Sequence, residues 1–186
     1  MQWTEFETAW GVFGMVVREK RLVATILPRD RKSVTAEINK RWPGVEECDD
    51  LLPKFRREVE NYFSGMRATF SVEVDLSGHT LFRRAVLEAC RRIPYGRTAS
   101  YADLARAVGC PNASRAVGGA MASNPLPLVI PCHRVLRSDG SLGGFSSTLG
   151  TGEKELMLKL EGIRWGIPLD GKCLRTTGLR MRRAAT

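Results

Sequence analysis

At 186 residues and 43% hydrophobic content the chain is long enough for one ordinary domain or two small ones, and it can bury a core. Its five cysteines are odd in number and scattered, with no CxxC pair and no Cys/His cluster at zinc spacing, which argues against a disulfide scaffold and a structural zinc. No basic-then-apolar leader follows Met1 and no apolar run is long enough to span a bilayer, so a soluble protein of a reducing compartment is expected, cytoplasmic or, in a eukaryote, nuclear. The formal net charge of +9 favours a polyanionic partner, although charge alone weighs nucleic acid and a plain solvated basic surface evenly.

In chain order, Gly11–Val17 and Arg21–Pro28 are apolar and β-branched around a polar Arg18-Glu19-Lys20, and they predict a β-hairpin. Leu52, Phe55, Val59, Tyr62 and Phe63 then recur at spacings of three and four before Gly65, which predicts an amphipathic helix. Phe70, Val72, Val74 and Leu76 alternate and predict a half-buried strand. Ser77-Gly78 marks a break, after which short helices alternate with Gly/Pro loops. The expected organisation is α+β: an N-terminal α/β domain over 1–77, a C-terminal domain over 78–172, and a basic tail over 173–186.

The second half opens on a helix carrying Phe82, Val86, Ala89 and Ile93 on one stripe, closed by Pro94-Tyr95-Gly96. Ser100 with Asp103 three residues on reads as a capping box for the short helix Tyr101–Val108. A turn at Gly109–Asn112 leads to the helix from Ala113 to Ser123. Two short helices around such a turn form a helix-turn-helix, a pattern that plain helical hairpins share. In the second helix Val117 and Met121 face inward while Arg115 projects from the opposite side among small residues. Gly118 and Gly119 each cost a helix about 1 kcal/mol relative to alanine, so either tight internal packing or close approach of another surface must explain them.

Leu128–Ile130 is apolar, and Pro131 holds Ile130 extended, so Cys132 is expected on a rigid, largely buried backbone. A cysteine in such a place is more often an inert core residue than a nucleophile. His133 beside it makes contact only through a turn or a bridging water, because neighbours in an extended segment point apart. Glu161 lies four residues after Met157 on the inward side of the last helix, where it faces the negative end of the dipole and needs a cationic or proton-donating partner. Either His133 is that partner and draws the thiol proton, or Glu161 is a solvated helix end.

The segments IPYGRTASYADLA, SRAVGGAMASNPLPLVIPCHRV and GGFS, with Pro131–Val135 the most specific, resemble the O6-alkylguanine-DNA alkyltransferases over nearly the whole chain. The resemblance implies a ribonuclease-H-like N-terminal domain and a winged helix-turn-helix C-terminal domain. It implies irreversible transfer of a methyl or other alkyl group from O6-alkylguanine in double-stranded DNA to Cys132, with His133 acting on the thiol through water, Glu161 behind it, and Asn124 tying the loop. By the same resemblance Arg115 enters the duplex from the minor groove, on a helix whose Ser114, Ala116 and Gly119 also face DNA. Tyr101 crowds the phosphate and donates to the base, while Val135, Phe145 and Ser146 form the base pocket. A monomer is expected, without cofactor, metal or membrane.

Displacement at a saturated carbon suits a polarisable thiolate, and the thioether that results has no visible route to cleavage, so one molecule would remove one lesion. Two departures from the family pattern, Phe145 in place of tyrosine and Ser147-Thr148 in place of a glycine pair, bear on bulky adducts. His79 lacks partner ligands for the zinc of some members. Two other readings are a lesion recogniser or DNA-binding regulator without transfer, against which Cys132 speaks, and a Cys/His thiol enzyme with turnover.

Overall fold

The computed structural model describes residues 1–144 and 150–166. The predicted pocket residues Phe145 and Ser146, the Ser147-Thr148 departure and the basic tail therefore lie outside the described residues. The chain is a mixed α+β fold that divides after Gly78 into two units, and Pro125–Val129 packs with the first unit although it lies within the second in sequence. No described helix is long and apolar enough to cross a membrane.

The first unit is built on strands β1 (Gln2–Thr8), β2 (Gly11–Arg18), β3 (Arg21–Arg29) and β4 (Glu46–Glu47) in the order β3-β2-β1-β4. The first three form an antiparallel meander, and β4 joins β1 in parallel. The β2–β3 turn falls where the sequence places it, with Glu19 and Lys20 both at positive φ (49° and 65°) as a tight hairpin turn of matching twist demands. β2 is buried along six consecutive residues because both of its faces are covered. Val12 and Val16 meet Val34 and Ile38 of α1 (Arg31–Arg41) on one side. On the other side Phe13 packs on Phe55 and Phe63 of α2 (Pro53–Phe63) at 6.3 Å between ring centres.

The strand expected over Ala68–Leu76 is corrected to an extended segment with a single bridge, Val74 to Leu22 of β3. Its side chains alternate as predicted, Val72 and Leu76 buried and Ser71 and Glu73 exposed, but no ladder grows. The reason is competition for one edge. Leu22 bonds Glu73 and Asp75 at 2.8 and 2.9 Å, whereas Thr25 already donates from its backbone to Pro125 O (3.0 Å) and from Oγ1 to Pro127 O (2.7 Å).

The second unit holds α3 (Leu81–Arg91), β5 (Ala99–Ser100), α4 (Tyr101–Ala107), α5 (Ser114–Ala122), a 3₁₀ turn (Cys132–Arg134), β6 (Val135–Leu136) and α6 (Thr151–Leu160). The capping box at the start of α4 is present: Ser100 Oγ accepts from Asp103 N at 3.0 Å and Asp103 Oδ2 accepts from Ser100 N at 2.8 Å. β5 and β6 pair in parallel, Ala99 with Val135 and Ser100 with Leu136. That short ladder fixes the start of α4 against the residues that follow the 3₁₀ turn.

Gly14 of β2 tests the packing of α1 on the sheet, because a Cβ there would lie 2.6 Å from Val34 Cγ1 and 3.2 Å from Ile38 Cδ1. Gly14→Ala is expected to cost about 1–3 kcal/mol by overpacking, read as a lowered denaturant midpoint at an unchanged slope.

Candidate active site and nucleic-acid interface

Residues 127–129 form a turn, with Leu128 at φ 78°, and after Pro131 the chain enters the 3₁₀ segment that carries Cys132 and His133. The turn that contact between the thiol and its neighbours requires is therefore present. Asn124, just beyond α5, closes the loop from within the second unit: its amide nitrogen donates to Ile130 O at 2.8 Å and to Cys132 Sγ at 3.2 Å. One side chain thus fixes both the backbone before the cysteine and the sulfur itself.

Burial pushes the Cys132 thiol above its ordinary value, and the Asn124 hydrogen bond, the Lys154 charge and the backbone amides of Cys132 and His133 pull it down without cancelling that rise. At neutral pH the resting group is a thiol. The ionised sulfur that the chemistry needs is a state reached during reaction.

His133 and Glu161 are both buried, with Nε2 2.7 Å from Oε1. Glu161 also accepts from Arg134 Nε at 2.9 and 3.1 Å, from Arg134 Nη2 at 2.9 Å and from the Gly96 amide at 3.1 Å. Burial alone would raise its pKa, but His133 and Arg134 together hold it at about 2. Burial lowers the His133 pKa despite Glu161, so the imidazole is neutral at pH 7. An ionised carboxylate only accepts, hence Nε2 carries the hydrogen and Nδ1 is the basic nitrogen.

Sequence reasoning paired Glu161 with His133 and passed over Arg134, the cation that completes the cluster. It also missed Lys154, a fully buried ammonium on α6 that donates to Val135 O and Leu142 O, each at 2.5 Å. Burial lowers its pKa to about 8, partly opposed by Cys132 and Cys90. The signal was available, since Lys154, Met157, Leu158 and Glu161 share a helical face at spacings of three, four and seven.

A cavity of about 700 Å³ opens beside the thiol, lined by Tyr101, Ala102, Ser114, Arg115, Gly118, Met121, Ala122, Cys132, Arg137, Ser138, Gly143 and Gly144. Of the predicted site residues it gathers Cys132, Tyr101, Ser114 and Arg115. Ala116 and Gly119 lie on the exposed outer side of α5, and Val135 is fully buried in β6 behind the wall. Burial pushes the Tyr101 phenol up, so it stays a donor, resting 3.4 Å from Gly144 O. A Cβ at Gly143 (φ +67°) would come within 3.0 Å of that hydroxyl, so glycine is required there. Cβ atoms at Gly118 and Gly119 would meet nothing within 4 Å, which removes tight internal packing as their explanation. Charge is segregated too: residues 1–78 hold 13 acidic and 12 basic side chains, whereas 79–186 hold 7 and 17.

A buried thiol on an open pocket, next in the chain to an imidazole held by a carboxylate and beside two short helices joined by a turn, defines a cysteine-dependent class of protein that acts on nucleic acid. Residues 81–163 match the family model described as 6-O-methylguanine DNA methyltransferase, DNA binding domain. A methylated-DNA–protein-cysteine methyltransferase of Methanosarcina acetivorans is 36% identical over 87% of this chain and 99% of its own length. The inducible enzyme of that name from Bacillus subtilis is 44% identical over 66% of this chain and 68% of its own. The crystal structure of Mycobacterium tuberculosis OGT in complex with DNA superposes with a TM-score of 0.74 at 28% identity, covering 87% of this chain and 92% of that one. The chain belongs to the methylated-DNA–protein-cysteine methyltransferase family.

Glu161 ties stability to acid. Its folded pKa of about 2 lies below the ordinary 4.5, so its contribution is complete above pH 4.5 and is lost as pH falls toward 2. Glu161→Gln is expected to flatten that part of the acid limb in denaturant titrations at stepped pH, and to lower stability at pH 7 because Arg134 is left buried without a carboxylate.

Proposed function

We propose that the protein repairs DNA by moving the alkyl group from O6 of an alkylated guanine to its own Cys132, once per molecule. The observation that carries this reading is a buried thiol, hydrogen-bonded by Asn124, forming part of the wall of a pocket large enough for an extruded base. The names of the relatives and the DNA-bound structural neighbour support it.

In the reaction His133 Nδ1 takes the Cys132 proton, directly or through water, while Glu161 and Arg134 hold the ring in the basic tautomer. A sulfur lone pair forms the S–C bond as the C–O6 bond breaks, and the pair of the broken bond stays on the guanine. The purine takes a proton from the Tyr101 hydroxyl on the pocket wall, and the tyrosine recovers one from the His133 imidazolium through water, so the Cys132 proton ends on the guanine. Asn124 and Lys154 favour the developing thiolate. The thioether product is stable, so the molecule is spent. The presence of this acceptor argues against a lesion recogniser without transfer.

Reaching O6 requires the nucleotide to leave the stack at a cost of a few kcal/mol. Arg115, exposed on α5 beside two open glycines, fits the part of a wedge entering from the minor groove, with Ser114, Ala116 and Gly119 against the backbone. The excess of positive charge in residues 79–186 supports DNA binding by the second unit, acting as a monomer. We further assign the first unit, a mixed sheet between two helices, to a ribonuclease-H-like fold and the second to a winged helix-turn-helix. The described cysteines are free, in keeping with a cytoplasmic or nuclear thiol protein.

Incubation with duplex DNA bearing O6-methylguanine is expected to add one methylene to the intact mass of the chain, and Cys132→Ala abolishes the gain. An unmodified wild-type chain, or product formed beyond one equivalent, overturns the reading. Arg115→Ala is expected to slow the maximal rate on duplex by about tenfold or more while sparing reaction with free O6-benzylguanine. Equal losses on both substrates would refute the wedge.

A further inference from the structure

We propose that Arg137 binds a backbone phosphate of the extruded nucleotide, forming with Tyr101 an anion site at the pocket; this rests on the alkyl-transfer reading above. Arg137 is exposed, and among the described residues its guanidinium makes no hydrogen bond or ion pair. Arg134, three residues earlier, is its opposite: buried, and saturated by Glu161 and by Ile93 O at 2.7 Å. A guanidinium without an ion-pair or hydrogen-bond partner among the described residues, on a pocket that takes a nucleotide, is a site for an anion.

The fold holds Arg137 in place. Ser100 pairs with Leu136 in the parallel β5–β6 ladder, so the next residues on the two strands, Tyr101 and Arg137, emerge side by side and both line the pocket. The Arg137 charge also reaches the phenol, where it opposes the rise that burial causes. Beyond it a tight turn is locked by Arg137 N to Ser141 O (2.8 Å) and Gly140 N to Arg137 O (2.9 Å). The acid of that turn, Asp139, feels the Arg137 charge, but its carboxylate accepts from Ser141 N and Oγ at 2.9 and 2.7 Å and makes no ion pair with Arg137.

A nucleotide entering the pocket brings its own phosphates to the opening, where apolar walls weaken screening and a full charge needs a partner. Arg115 lines the pocket from α5 and, on the reading above, enters the stack, so among the described lining residues Arg137 is the cation left for the phosphate. A free base carries no phosphate and gains nothing from it.

The test uses the full chain as wild type, Arg137→Gln and Arg137→Lys. Substrates are free O6-benzylguanine and O6-methylguanine duplexes in which each phosphate flanking the lesion is in turn a neutral methylphosphonate. Arg137→Gln is expected to raise the duplex concentration for half-maximal transfer by about tenfold more than it affects the free base. It should also lower the slope of log affinity against log salt by about 0.9, with Arg137→Lys restoring most of both. Methylphosphonate at the contacted phosphate should reproduce the loss in wild type and add nothing to Arg137→Gln. Equal losses on base and duplex, an unchanged salt slope, or additive losses with every methylphosphonate would overturn the proposal. If wild type transfers from neither substrate, the alkyl-transfer reading fails, while the salt slope of binding to the lesion duplex still decides the role of Arg137.

Discussion

One buried carboxylate organises the second unit. Glu161 sits at the end of α6 with its charge in a nearly dry environment, a position that costs several kcal/mol unless every lone pair finds a donor. The donors arrive from two other segments: Gly96 from the loop after α3, and His133 and Arg134 from the 3₁₀ turn. Arg134 then reaches back to Ile93 O, and Tyr95 bonds Leu160 O at 3.1 Å, so the end of α3, the reactive turn and the end of α6 are drawn to one point. The tautomer of His133 follows from the same bond. Stability and proton transfer therefore rest on one set of contacts.

Dryness has a second consequence. The burial that keeps Cys132 out of water also disfavours its ionised form, and the surrounding groups reduce that penalty without removing it. Lys154 bears the same burden with opposite sign, since burial weakens its hold on a proton while the nearby thiols strengthen it. A thiolate and an ammonium so placed favour each other, whereas a neutral thiol at rest is protected from casual chemistry. A reagent that acts once benefits from both.

The outer surface of the second unit follows a different rule. α5 presents exposed small residues and two glycines with open space before them, a smooth face that lets a large partner come close. The loop joining α5 to the reactive turn packs with the first unit instead, where Thr25 holds Pro125 and Pro127 and the non-glycine Leu128 is kept at φ 78°. Asn124, bonded to Ile130 O, closes that excursion.

Much of this was written locally. The hairpin, the stripe of α2, the capping box at Ser100, the helix pair and the Pro131–Val135 motif each depend on residues within a few positions of one another, and short-range sterics and periodicity determine them. β1 and α1 escaped notice because they are short or sparsely apolar; α1 buries only Val34 and Ile38, and the sheet beneath rather than its own pattern makes it a helix. Whether residues 68–76 would pair as a strand depended on a competitor more than fifty residues later for the edge of β3. The Glu161–His133 contact, the Arg134 cation, the burial of Lys154 and the meeting of Tyr101 with Arg137 belong to the same category. Each requires segments far apart in the chain to meet, and only the packing that excludes water decides which buried charges find one another.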